Sequence, residues 1–455
     1  MKQLRLFLLL AAGLFLASCS EPQPDEFPNP DPPPTVGRHT VPIDQALGEL
    51  DDLLGVIDGQ GTRAGGVRTI AQVQTLHAQA LALTRSASEP GEQPEELLYV
   101  VNFEDDAGYA VLGADDRLPG VLAVTDEGSL TTEELVRAAN GQTTPEEFTF
   151  PNEMLMNYVS GIGGIGGGGI GGGGIGGGGI PTGPFTDFDT QLGNPPAGFE
   201  GYEWSDWKNL EYVAPMVTTR WHQEDPFNRH CPVIGGETCV AGCAAIAMAQ
   251  IVASNHLHHN VSPGRIGNIS LNWTLIRQGI IDPDLLNRNS SIANQVALLV
   301  AALGLKLGMN YGVTQSGASI DDAEYCFKYI GYKGVNNHTF RPSYVRNMLW
   351  ERQRPTYVRA VNAQKEGHAW VADGWLYRRR DQYAVIFGKR SDYSVSNQTQ
   401  TLMHCNFGWG GRCDGFYHIG LFNTNEQAVI PDIDYTPVDD DYNGGKRMIT
   451  YTEMY

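Results

Sequence analysis

The sequence predicts an α+β protein, in which a small α+β domain and a larger α+β domain are joined by a glycine-rich linker. Three observations predict it. Apolar residues and good helix formers precede the β-rich part of each domain, at 41–56 and from 243 onward. Short β-rich runs bounded by turn residues follow in each, at 97–125 and 355–407. Between the two, residues 161–180 read GIGGIGGGGIGGGGIGGGGI, a tract that would lose much backbone entropy on folding for little side-chain burial. The expected boundaries are 41–150 for the small domain, 151–200 for a Gly/Pro-rich linker with a processing region, and 201–455 for the large domain.

In the small domain, Ile43, Ala46, Leu47, Leu50, Leu53 and Leu54 have the spacing of an amphipathic helix. LLYVVNFE at 97–104 predicts a buried strand, with Tyr109–Leu112 as its hairpin partner and Leu118–Thr125 as a third strand. A short helix is expected over Thr131–Ala139, with Glu133 and Glu134 near its start. In the large domain, CVAGCAAIAMAQIVASNH at 239–256 predicts an Ala-rich helix entered sharply at Gly242. Further helices are expected near 291–305 and 318–330. The strands expected at 355–361, 368–372, 383–387 and 401–407 complete a largely antiparallel sheet.

Composition narrows the function. The 455 residues carry a formal net charge of −21, which disfavours nucleic-acid binding by bulk electrostatics. Lys2 and Arg5 precede an apolar run at Leu6–Ala17, so residues 1–18 have the form of an export signal. Leu16-Ala17-Ser18-Cys19 resembles a bacterial lipobox, which implies cleavage before Cys19 and lipidation of its thiol. Residues 19–40 are proline-rich with interspersed acids, as in an extended tether. The expected location is the bacterial cell envelope, lipid-anchored outside the cytoplasm, at the surface or released after processing. Export permits disulfides among the other cysteines, and Cys231/Cys239 and Cys405/Cys413 are spaced for local closure. The histidines and cysteines lack standard zinc spacing, and no GxxxxGK[ST] loop occurs.

The chemistry gathers around Cys243. A thiol in the first turn of a helix meets unpaired backbone N–H groups and the positive helix end, which favour the thiolate. Such a nucleophile needs a base and a group that orients the base. His368, after Gly367 at the start of an apolar strand, is the candidate base, and His404 is a weaker competitor. Asn406 is the candidate orienter, because its amide oxygen accepts from an imidazole N–H. Gln223 is the candidate oxyanion donor, because the nearer Glu237 only accepts hydrogen bonds when ionised.

The ordered segments TTRWHQEDPFNRHCP (218–232), AGCAAIAMAQI (241–251), NYGVTQSGA (310–318), GHAWVADGW (367–375) and NFGWGGRCDGFYHI (406–419) resemble the streptopain family of bacterial papain-like cysteine peptidases. The resemblance implies a papain-like peptidase domain. It gives Cys243 as nucleophile, His368 as catalytic histidine, Asn406 as its orienting residue and Gln223 as oxyanion donor. Ser316 and Gly317 resemble a wall of the substrate cleft. Phe407 stands where the family's Asn-Trp-Gly-Trp-Gly-Gly stretch has its first tryptophan, and Trp409 fills the second aromatic position. LYVVNF (98–103) and GYAVLGADDRLPGVLA (108–123) resemble the family's inhibitory propeptide, so the small domain is the expected intramolecular inhibitor of a zymogen.

The expected function is therefore a cysteine endopeptidase acting on protein or peptide substrates through a thioester, with no cofactor. The alternatives are a papain-like amidase or transpeptidase, which would use the same thioester, and a non-catalytic surface-binding lipoprotein.

Overall fold

The computed structural model describes residues 40–60, 67–77, 80–81, 96–140, 146–162, 198–361, 367–422 and 445–454. The expected signal segment, Cys19, the tether through residue 39 and the glycine tract from residue 163 lie outside the described residues.

Helix α1 (Ile43–Ile57) buries Ala46, Leu50 and Leu53 of the expected stripe together with Ile57, while Ile43 is exposed and Leu47 and Leu54 are half-buried. The stripe lies on an antiparallel sheet of β1 (Ile70–His77), β2 (Glu96–Phe103), β3 (Tyr109–Gly113) and β4 (Val121–Thr125). Strands β2 to β4 agree with expectation. Strand β1 lies outside the expected strands, because half of its IAQVQTLH run is polar and it sits, largely unburied, at the sheet edge. Helix α2 (Thr132–Ala139) is set by a capping box, in which Thr131 accepts from the Glu134 N–H and the Glu134 carboxylate accepts from the Thr131 N–H. Helix α3 (Glu146–Ile162) runs across residue 150, so the segment expected to be linker from 151 begins as helix.

In the large domain, β5 (Phe199–Trp204) and β6 (Lys208–Val213) precede α4 (Cys243–His259). Helix α4 is buried along most of its length, from Ala244 to His256. A helix apolar on all sides belongs in a core. Helices α5 (Trp273–Ile281), α6 (Ser290–Lys306) and α7 (Ile320–Tyr329) pack around it in that core. Next come β7 (Asn336–Thr339), β8 (Thr356–Val361), β9 (Gly367–Ile386), β10 (Lys389–Asn406), β11 (Gly415–His418) and β12 (Arg447–Thr450). The short strands expected at 368–372 and 383–387 are one long strand, β9. Pairing with β10 in one hairpin carries both strands out to a polar arm.

All these strands form one 12-stranded sheet, in the order β1-β2-β3-β4-β11-β10-β9-β8-β12-β7, with β5 and β6 pairing on β9. The two domains meet within the sheet: Thr125, Val124 and Ala123 of β4 pair antiparallel with Gly415, Phe416 and Tyr417 of β11. This join lies beside the glycine-rich segment that follows Asn406. Among the described residues, no helix is long and apolar enough to cross a membrane.

Candidate active site

Cys243 is the first residue of α4, and Gly242 before it has φ +87°. A Cβ at Gly242 would meet the Met309 side chain at 2.9 Å and the Ser316 carbonyl oxygen at 3.0 Å, so only glycine gives this entry. The thiol is half-buried. Other cysteines are poor nucleophiles: burial pushes the Cys231 thiol up to about 11 and the Cys326 thiol up to about 12, and holds Cys405 well above its ordinary value. Cys231, Cys239, Cys326 and Cys405 are all free thiols, so neither local disulfide expected from the spacing is formed.

Ser316 and Gly317 flank this entry. The Ser316 hydroxyl donates to the Val240 carbonyl at 2.7 Å and accepts from the Gly312 N–H at 3.0 Å. Ser316 is thus occupied in shaping the loop beside the thiol. On the other side, the Ala241 N–H donates to the Gln223 carbonyl at 2.8 Å, which brings the Gln223 loop to the helix entry despite its distance in sequence.

His368 lies near the start of β9, paired with Ala360 of β8. Its Nε2 is 3.0 Å from the Phe407 carbonyl oxygen. A carbonyl only accepts, so Nε2 carries the proton and Nδ1 is the nitrogen left to act as a base. The ring stacks on Trp409 at 4.3 Å between centroids, with Phe150 of α3 at 5.7 Å and Phe407 at 6.2 Å. Burial in this aromatic setting pulls the imidazole down to about 4, against the smaller opposing effect of the Phe407 carbonyl. Phe407 is fully buried and Trp409 is partly so; they serve as packing for the imidazole.

Asn406 ends β10 opposite Val371 of β9. Its amide makes no hydrogen bond to His368. Nδ2 donates to the Thr219 carbonyl at 3.0 Å, and Oδ1 accepts from Gln250 Nε2 at 2.8 Å and from the Gly408 N–H at 3.1 Å. The expected orienter thus stands one residue from the carbonyl that holds the histidine, with its oxygen engaged elsewhere.

His404, the competing base, has a different place. Nδ1 lies 2.6 Å from Asp373 and Nε2 lies 3.3 Å from Asp126 of the small domain, and all three side chains are buried. Burial alone would lower the His404 pKa, but the two carboxylates more than offset it and raise it to about 10. His404 is a buried cation across the domain junction, not a base poised for proton transfer.

Residues missed from sequence include Gln250, Asp373, Asp126 and Phe150. Gln250 reads as an ordinary helix former, and Asp373 sits unmarked inside GHAWVADGW. Asp126 and Phe150 belong to the other domain, so no local spacing points to them.

Residues 221–417 match the model of the Peptidase C10 family. Streptopain of Streptococcus pyogenes is 24% identical over 243 residues, covering 45% of this chain and 54% of the relative. The chain thus spans about half the length of the curated relatives it matches. Among solved structures, a prointerpain A fragment of Prevotella intermedia is 18% identical with a TM-score of 0.46, covering 84% of this chain and 98% of the fragment. Active wild-type interpain A of the same organism is 21% identical with a TM-score of 0.37, covering 53% and 95%. Residues 221–417 thus form a cysteine-peptidase domain similar to the Peptidase C10, or streptopain, family, and a distinct N-terminal domain precedes them.

Proposed function

We propose that the chain is the latent form of a cysteine endopeptidase, with Cys243 as nucleophile, His368 as base and Asn406 as the residue that orients the base. The observation that carries this reading is the meeting of three elements: the start of α4 bears Cys243, and a buried side-chain bridge from α4 reaches Asn406, whose neighbour's carbonyl holds His368.

In the proposed reaction, Nδ1 of His368 takes the Cys243 proton and the sulfur attacks the scissile carbonyl. The oxygen gains negative charge, stabilised by N–H groups at the start of α4 and by the Gln223 amide. Collapse breaks the C–N bond, and His368 delivers its proton to the departing amine. Water, deprotonated by His368, then attacks the thioester and restores the thiol.

Latency belongs to the same proposal. The base has to accept a proton, and the aromatic packing that includes Phe150 holds the imidazole at about 4. The N-terminal domain thereby acts as an intramolecular inhibitor, relieved by cleavage in or near 151–200. The reading extends to location: Cys19, lipidated after signal cleavage, would anchor the chain outside the cytoplasm.

Phe150→Ala tests the inhibitory contact. The His368 pKa lies below its ordinary value, so a released histidine binds more protons than the docked one between about 4 and about 6.5. Docking is therefore favoured above about 6.5 and weakens as pH falls toward about 4. Wild-type conversion, followed by intact mass, is expected to run roughly tenfold faster at about pH 5 than at about pH 7. Phe150→Ala should convert faster at the higher pH and show a flatter profile. Wild-type and variant rates that coincide at every pH would remove Phe150 from the inhibitory role.

An unbiased peptide library supplemented with amines tests the reaction class. Hydrolytic cleavage within peptides supports the endopeptidase, whereas transfer to the amine or release of side-chain ammonia points to transpeptidase or amidase chemistry.

A further inference from the structure

Gln250 lies in α4 at the seventh position after Cys243, close to two full helical turns, so both side chains leave nearly the same face. Gln250 is fully buried, and every polar atom of its amide is engaged. Oε1 accepts from the Thr219 hydroxyl at 2.8 Å and from the Trp221 N–H at 3.4 Å, and Nε2 donates to Asn406 Oδ1 at 2.8 Å.

Backbone groups force the direction of these bonds. The Thr219 carbonyl only accepts, so Nδ2 of Asn406 must face it. The Gly408 N–H only donates, so Oδ1 must face that side. The Trp221 N–H likewise requires Oε1 of Gln250, leaving Nε2 for Asn406. Neither amide can turn over without setting donor against donor and acceptor against acceptor among buried groups. Thr219 closes the ring, since its hydroxyl serves Gln250 and its carbonyl serves Asn406. Of the three bonds to Asn406, only the one from Gln250 comes from a side chain.

We propose that Gln250 is a positioning residue for the reaction, fixing the Asn406 amide and tying it to the helix that carries Cys243. The proposal rests on the reading of Asn406 as the orienter of His368. When His368 leaves the Phe407 carbonyl, the Gly408 N–H is the partner that yields at Oδ1, while Gln250 keeps the amide in place. The same side chain ties down Trp221, two positions before Gln223, so one amide indexes the oxyanion loop and the histidine side together.

Gln250→Glu keeps size and shape but replaces the donor facing Asn406 with an acceptor. Gln250→Met removes the amide without introducing charge, and serves if the glutamate variant does not fold. The test uses full-length chains, each brought to the wild-type processed mass by a trace of tagged wild-type protein that is then removed. Either variant is expected to lower kcat roughly 10- to 100-fold with KM within about twofold, and to shift the histidine limb of the kcat/KM pH profile. Combined with Asn406→Ala, it should cost nothing beyond Asn406→Ala alone, because the amide it positions is gone. Full additivity of the two losses, or a loss confined to KM, would overturn the role given to Gln250. Wild-type kcat in Asn406→Ala alone would instead overturn the reading of Asn406, and the proposal with it.

Discussion

Cys243→Ala is expected to lower peptide hydrolysis by about 10^5-fold, leaving only what binding and oxyanion donors provide without a nucleophile. The size of the effect follows from where the thiol sits. Cys243 opens α4 behind a glycine whose backbone conformation and lack of Cβ no other residue reproduces, beside the loop fixed by Ser316. The other thiols for which burial raises the pKa, Cys231, Cys326 and Cys405, cannot substitute for it. Removing Cys243 should leave the fold intact, because the thiol is half-buried and the helix gains a residue of high propensity. Unchanged turnover in the purified variant, at matched processed mass, would show that another group performs the chemistry.

Asp373→Asn is expected to destabilise the chain by about 3–5 kcal/mol, read as a lowered urea midpoint. Its carboxylate lies at the centre of the domain junction. One oxygen meets His404 at 2.6 Å and the other accepts from the Val217 N–H at 2.8 Å, with both side chains fully buried. Breaking such a pair from one side leaves a buried cation with half its compensation. The pH dependence has a definite sign. The His404 pKa is raised in the folded chain, so its contribution is fully present below about 6.5 and is lost as pH rises through about 10. Wild-type stability should fall across that window, and Asp373→Asn should flatten the fall. Equal urea midpoints for the two proteins at about pH 7 would show that the junction does not depend on this pair. Because Asp126 supplies the second carboxylate, the same cation also bonds the small domain to the large one.

Much of this architecture can be read before any coordinates are known. The Ala-rich run after Gly242 yields α4, and short, nearly continuous apolar runs bounded by turn residues yield β2 to β4. His368 and Asn406 emerge from their partners in sequence and from family resemblance. What stays hidden is long-range. The hairpin of β9 and β10 reads as three short strands, because its distal arm is polar and resembles loop. The continuation of the small domain's sheet into the large one depends on Ala123–Thr125 meeting Gly415–Tyr417, far away in the chain. The ion cluster joins residues separated by 278 positions.

The site shows the same division. Residue types with reactive chemistry are legible, but their states are not. Asn406 reads as a histidine partner, yet its amide is committed to Thr219, Gln250 and Gly408. His368 reads as a base, yet Phe150 from across the linker packs on its ring. Gln250 carries no chemical signature at all in an Ala-rich helix, and only the directions of its hydrogen bonds reveal its use.

In the proposed reaction the Cys243 thiol forms the covalent intermediate. Rapid acid quench of the processed protein during turnover of a peptide ester, followed by intact mass measurement and peptide mapping, tests it most directly. An acyl adduct on Cys243 is expected that forms and decays at rates matching turnover, and that is absent from Cys243→Ala. An adduct on another residue, or full turnover by Cys243→Ala, would contradict it.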